Sequence, residues 1–137
     1  MTYYTAAFCP CENGMYSITF PDFPEIATEG SDLSDAMFMA EDALKMALEE
    51  YAKERKQPPV PSSVDEAKAK TQALYDELAI VPEGSVLYPL IAAPDMDTTP
   101  VRLSISLPKN IVSILDRKAK LAGMTRSGYI AHMASQA

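Results

Sequence analysis

The sequence predicts an α+β chain built in two pieces, and three observations point to it. First, short runs rich in Tyr, Thr, Phe, Val and Ile alternate with polar residues, while residues 33–51 repeat apolar side chains every three or four positions. Second, a polar stretch bounded by prolines, residues 94–100, interrupts the pattern before a new strand begins. Third, the charge changes sign across that stretch. Residues 1–97 hold 18 acids and 6 bases, a balance of −12; residues 98–137 hold Asp116 alone against six bases, a balance of +5. The implied division is a body at 1–93, a linker at 94–100 and a tail at 101–137.

The elements follow in order. Residues 2–9 read as a strand, Glu12-Asn13-Gly14 as a hairpin turn, and residues 15–20 as the returning strand. Pro21-Asp22-Phe23-Pro24-Glu25 reads as a stiff bend, since each proline fixes its own φ and restrains the residue before it. Residues 26–28 form a short third strand. Ser31 or Asp32 caps a long helix, with Asp35 in its first turn. Its stripe is Leu33, Ala36, Met37, Ala40, Ala43, Leu44, Ala47, Leu48 and Tyr51. Pro58-Pro59-Val60-Pro61 stops it. Ser62 or Ser63 caps a second helix to about Leu78, striped by Val64, Ala67, Thr71, Leu74 and Leu78. Residues 85–92 are a strand that Pro89 places at an edge or a bulge.

In the tail, Val101-Arg102-Leu103-Ser104-Ile105-Ser106-Leu107 alternates without a fault. Pro108 ends that strand and suits a first helical turn. Ile111, Ile114, Leu115, Ala119 and Ala122 stripe the helix, and Gly123 supplies a left-handed cap. Thr125 then caps a last helix carrying Tyr129, Ile130, Met133 and Ala134.

At about forty residues, such a tail is too small to bury a core alone. Its single strand also leaves backbone groups unpaired. Pairing with the same strand of a second copy answers both needs: Val101, Leu103, Ile105 and Leu107 turn inward, and Arg102, Ser104 and Ser106 turn outward. A two-stranded ribbon fits the DNA major groove, where Arg102 can grip guanine by a forked pair of hydrogen bonds and the serines read neighbouring edges. Lys109, and Thr125, Arg126 and Ser127 at the start of the last helix, supply phosphate contacts.

Arg-x-Ser-x-Ser on the strand, Leu-Pro after it and Gly-Met-Thr-Arg-Ser before the last helix resemble a ribbon-helix-helix DNA-binding domain. Residues 16–20, then Pro21-Asp22-Phe23-Pro24-Glu25, Thr28-Glu29-Gly30 and the Ala-rich helix, with Pro-Val-Pro-Ser after it, resemble the HicB antitoxin family. Glu25-Ile26 stands where that family often shows Gly-Cys, and residues 64–78 look like an added helix. The resemblance implies a partial RNase H-like sheet with helices, joined to a ribbon-helix-helix domain. It implies an antitoxin that binds a small basic HicA-like RNase toxin and represses its own operon as a homodimer, or a tetramer, on palindromic operator DNA. The toxin-binding candidates are Tyr16, Asp22, Phe23, Pro24 and Glu25; the stiff bend offers Phe23 either as an exposed aromatic anchor or as a core residue, with the acids then a solvated surface. The alternative is a stand-alone repressor with an acidic ligand-sensing body.

Other classes are disfavoured. Glu12 and Asp22 lie near strand ends without the spacing a metal-dependent hydrolase needs, so no catalytic role is expected. Cys9-Pro10-Cys11 and the single His132 do not make a metal site, and no cofactor is implied. Two cysteines are too few for a disulfide framework, which suits a reducing cytoplasm. The start lacks a signal peptide's basic and apolar regions, and no run without Asp, Glu, Lys or Arg exceeds 11 residues, the one at 84–94 carrying two prolines, so no membrane contact is expected.

Overall fold

The computed structural model describes residues 1–97 and 99–136. The chain divides into two compact units, Met1–Thr98 and Thr99–Ala137. The first runs β1 (Tyr3–Thr5), β2 (Ala7–Pro10), β3 (Tyr16–Phe20), β4 (Phe23–Gly30), α1 (Leu33–Lys53), α2 (Val64–Leu78) and β5 (Leu90–Ala92). All pairing is antiparallel and falls in two sheets, a two-stranded one of β1 and β5 and a three-stranded one in the order β2-β3-β4.

The first predicted strand is therefore two, broken at Ala6, and the last keeps only three residues plus an isolated bridge from Leu87 to Phe8. One residue accounts for both breaks. Tyr4 faces Ile91 and Phe8 faces Leu87 in one register, which sets Ala6 opposite Pro89. The Ala6 N–H donates to the Pro89 carbonyl at 2.9 Å, but Pro89 has no N–H to return.

Alternation along β1 and β2 divides the core. Tyr4, Ala6 and Phe8, with Ile18 and Phe20 of β3, pack with Ala36, Ala40 and Leu44 of α1. Thr5, Ala7 and Cys9 are equally buried but point to the opposite face. There α2 covers them with Ala67, Thr71 and Tyr75, the last lying beside Cys9 and Thr19. The expected α2 stripe is thus rotated: Leu78 is exposed, and Tyr75 takes the buried place. Gly30 ends β4 against the backbone of α1 at Ala36, so close that no Cβ fits there.

Helix ends are closed locally. Asp32 caps α1 by accepting from the Asp35 N–H at 2.8 Å, and Ser63 caps α2 in a reciprocal box with Glu66. Arg55 and Ala79 take left-handed backbone (φ 55° for both) after α1 and α2, where the Lys56 and Ile80 N–H groups reach back to Tyr51 and Tyr75.

The bend at Pro21–Asp22 departs from expectation in its residues. β4 begins at Phe23, which pairs directly with Phe20 across a register shift. That shift turns Phe23 inward, fully buried, edge-on to Tyr4, Phe20 and Tyr51 at 4.7, 6.3 and 5.8 Å. It is a core aromatic rather than an exposed anchor. Asp22 is likewise committed inside the fold. Its carboxylate accepts from the Ser62 N–H (2.9 Å) and hydroxyl (2.6 Å) and from Lys70 (3.3 Å), tying the bend to the start of α2.

Burial alone would raise the pKa of Asp22, but the hydrogen bonds from Ser62 and Lys70 outweigh it and hold the carboxyl below its ordinary value. Stabilisation from this group is full above the ordinary carboxylate range and is lost as pH falls through the lowered value. Asp22→Ala should cost about 1–3 kcal/mol near neutral pH, because Ser62 loses its acceptor. Urea unfolding should show wild type and variant converging as pH falls through the lowered value.

Candidate functional site

The second unit holds α3 (Lys109–Leu121) and α4 (Arg126–Ser135). Pro108 sits at the N-cap of α3, and its carbonyl accepts from Ile111 and Val112. Gly123 ends the helix at φ 69°, as its position suggests. Among the described residues of this unit, Ala119 alone is buried. Leu103 is 79% exposed, Ile105 66% and Leu107 42%, although their alternation marks them for a core. Residues 101–107 form no strand within the single chain, since no described residue offers them a ladder. An open groove of about 760 Å³ runs between this segment and the two helices, lined by Leu103, Ile105, Leu107, Val112, Leu115 and Ile130 together with Ser104, Ser106, Arg126, Ser127 and Ala131.

The predicted DNA-contacting residues divide by availability. Arg102, Ser104 and Ser106 are exposed on alternate positions of the segment, Lys109 is exposed at the first turn of α3, and Ser127 is exposed in the first turn of α4. Thr125 spends its hydroxyl as the α4 cap, accepting from the Gly128 N–H at 3.0 Å. Arg126 is paired in the free chain: its Nε and Nη2 both donate to the Asp116 carboxylate at 2.8 Å, a fork between α4 and α3 that leaves the Arg126 side chain 58% exposed. Sequence reasoning missed this pairing, though a lone acid in a basic segment was the available signal.

In the first unit, the toxin-facing candidates are scattered. Tyr16 is half-buried against the core, 6.1 Å from the Phe8 ring. Asp22 and Phe23 are internal, as described. Pro24 and Glu25 are exposed at the start of β4. Glu25 also borders a shallow groove of about 490 Å³ between β4 and α1, with Asp42, Glu49 and Glu50 along α1. Glu12 and Asp22 lie beyond opposite ends of β3, and no described group of three His, Cys, Asp or Glu could hold a metal ion. Cys9 is buried, with its thiol pKa raised by that burial, while Cys11 is exposed; both are free thiols. No described helix is long and apolar enough to cross a membrane.

The profile of the family described as "HicB_like antitoxin of bacterial toxin-antitoxin system" matches residues 4–134. Antitoxin HicB 1 of Photorhabdus laumondii subsp. laumondii is 39% identical over 61 residues, 44% of this chain and 39% of that protein. Antitoxin HicB of Escherichia coli (strain K12) is 34% identical over 62 residues, 45% of each chain. These matches thus span less than half the length of either relative. In solved structures, a chain of the toxin-antitoxin complex from Streptococcus pneumoniae aligns with TM-score 0.58 at 18% identity, covering 98% of this chain and 97% of that one. The crystal structure of the Burkholderia pseudomallei antitoxin HicB aligns with TM-score 0.55 at 22% identity, covering 98% and 94%. At those identities the structures show a shared fold.

The Arg126–Asp116 fork makes its own prediction. The hydrogen bond from Arg126 holds the Asp116 carboxyl below its ordinary value, so the tie persists above the ordinary carboxylate range and is lost as pH falls through the lowered one. Arg126→Ala and Asp116→Ala should each speed amide exchange in α4, and the double variant should add little to either, because both remove one interaction.

Proposed function

The chain belongs to the HicB-like antitoxin family of bacterial toxin-antitoxin systems, and from that membership we propose that it neutralises a small basic HicA-like ribonuclease and represses its own operon. The observation that carries the DNA half is the uncovered tail, whose apolar alternate positions stand in water with one buried residue behind them. Each such side chain gains about 1.5–3 kcal/mol on full burial, so the segment favours whatever covers it. A second copy laid antiparallel covers Val101, Leu103, Ile105 and Leu107, supplies the missing ladder, and raises Arg102, Ser104 and Ser106 on the outer face. This is the ribbon-helix-helix arrangement. Arg102 then reads guanine, the serines read adjacent edges, and Lys109 and Ser127 hold phosphate. Arg126, bound to Asp116, braces the helix that presents Ser127.

The first unit takes the toxin-binding role, as a partial RNase H-like sheet. Its balance of −12 favours a cationic partner by long-range attraction. The chain acts by masking and repression rather than by catalysis.

Two experiments test this reading. Co-expression with a small basic HicA-like protein from the same genome should yield a complex that survives size exclusion at low salt and weakens as salt rises; two proteins that elute apart reject the antitoxin role. Gel shifts on the chain's own promoter should show that Arg102→Ala, still dimeric by sedimentation, loses about 1–3 kcal/mol of discrimination at one position per half-site. Unchanged operator preference in that variant rejects the ribbon assignment.

A further inference from the structure

We propose that the open edge of β4, with the acidic groove beside it, is where the cationic partner docks, by adding a strand to this sheet. The proposal rests on the antitoxin reading and gives that reading a location that the sequence does not.

The free edge follows from the ladder. The Cys11 N–H donates to the Met15 carbonyl at 2.8 Å, so these two form the hydrogen-bonded pair that closes the β2–β3 hairpin. Such pairs alternate along an antiparallel ladder. Ser17 and Thr19 therefore direct their backbone to β2, and Tyr16 and Ile18 direct theirs to β4. Tyr16 pairs with Gly30 and Ile18 with Thr28. Ala27 and Glu29, lying between, turn their N–H and C=O groups away from the sheet. β4 has no neighbour on that side, and no described residue hydrogen-bonds to those groups. The opposite edge of this three-stranded sheet, β2, is different: Phe8 exchanges both backbone hydrogen bonds with Leu87 (2.8 and 3.0 Å), so that side is already met.

The surroundings specify the visitor. The groove beside the edge is floored by Ile26 and by Met46, which is 60% exposed, and rimmed by Glu25, Asp42, Glu49 and Glu50. Its one base, Lys53, pairs with Glu50 at 3.6 Å. A second copy of this chain would bring the same carboxylates against themselves, and like charges facing across a strand pair oppose pairing. A strand bearing Lys or Arg meets an opposite charge at each rim position while its backbone pairs with Ala27 and Glu29. Acidic side chains thus refuse self-association at an otherwise receptive edge and select a cation.

The test uses the full chain with a small basic HicA-like protein from the same genome, measured by titration calorimetry. Ala27→Pro removes an outward N–H and spares the β3–β4 bonds. It should weaken the complex at least about tenfold with the melting midpoint of the free chain unchanged. Glu25→Lys with Asp42→Lys should do the same. Glu77→Lys with Glu83→Lys changes the charge equally on residues that do not line the groove, and should cost less than about threefold. If Ala27→Pro fails to fold, the Glu25/Asp42 variant decides. Undiminished affinity in the groove variants overturns the proposal, and equal losses in both charge pairs overturn it in favour of steering alone. A fall in the sedimentation mass of the partner-free chain on Ala27→Pro places a second copy on the edge and likewise overturns it. Absence of any wild-type complex removes the antitoxin reading itself; a wild-type complex indifferent to the groove leaves that reading standing and removes this site.

Discussion

Side chains on a strand alternate between two faces, and each half of this chain is shaped by what covers those faces. In the first unit both are covered. Tyr4, Ala6 and Phe8 meet α1, while Thr5, Ala7 and Cys9 meet α2, so one short stretch of backbone is the middle layer of three. The same stretch explains the composition of the helices. Ala36 and Ala40 let α1 lie close to the sheet, and Gly30 permits the approach at its end. In the second unit the alternation is cleaner and the cover is missing. Leu103 and Ile105 face water, although the rule that buries Tyr4 and Phe8 applies to them equally.

That contrast explains how much of the fold was legible in the sequence. Local signals transferred well: Asp32 and Ser63 cap where their residue types suggest, and Gly123 adopts positive φ where a helix ends. Pro89 marks an edge because a missing N–H is a property of one residue. Signals that depend on a partner elsewhere transferred poorly. The buried row of α2 could not be fixed from its own pattern, because Tyr75 is amphipathic and only the sheet face decides whether its ring is inside. Arg55 and Ala79 close helices in left-handed backbone without glycine, so composition carried no sign of either turn.

The candidate site was legible in proportion to exposure. Arg102, Ser104 and Ser106 are exposed, but so are Val101, Leu103, Ile105 and Leu107 between them, so the single chain does not set one face of that segment apart. The burial of Phe23 did not follow from the sequence, because Pro-Asp-Phe-Pro describes a stiff bend without saying which way its aromatic turns. The register shift after Thr19 turns it inward, onto Tyr4 and Tyr51. Asp22 failed for a related reason. An acid in an exposed-looking turn has Ser62, forty residues on, as its partner, and the separation hides the bond from any local reading.

Charge completes the division of labour. The net charge of −7 averages over two units of opposite sign, with the net positive charge confined to the second. The tail confines it strictly, with Asp116 its single acid, and that acid is consumed by Arg126. The fork removes one negative and one positive charge together and leaves Arg102, Lys109, Arg117, Lys118 and Lys120 unopposed within the tail. Meanwhile the acids of the first unit are spread over helix faces and an open strand edge, where phosphate gains nothing and a cationic protein gains most. Fields from exposed charges are screened over about 8 Å at physiological ionic strength. Screening on that scale makes the local sign, −12 for residues 1–97 and +5 for residues 98–137, a better guide to what each segment attracts than the chain's average of −7.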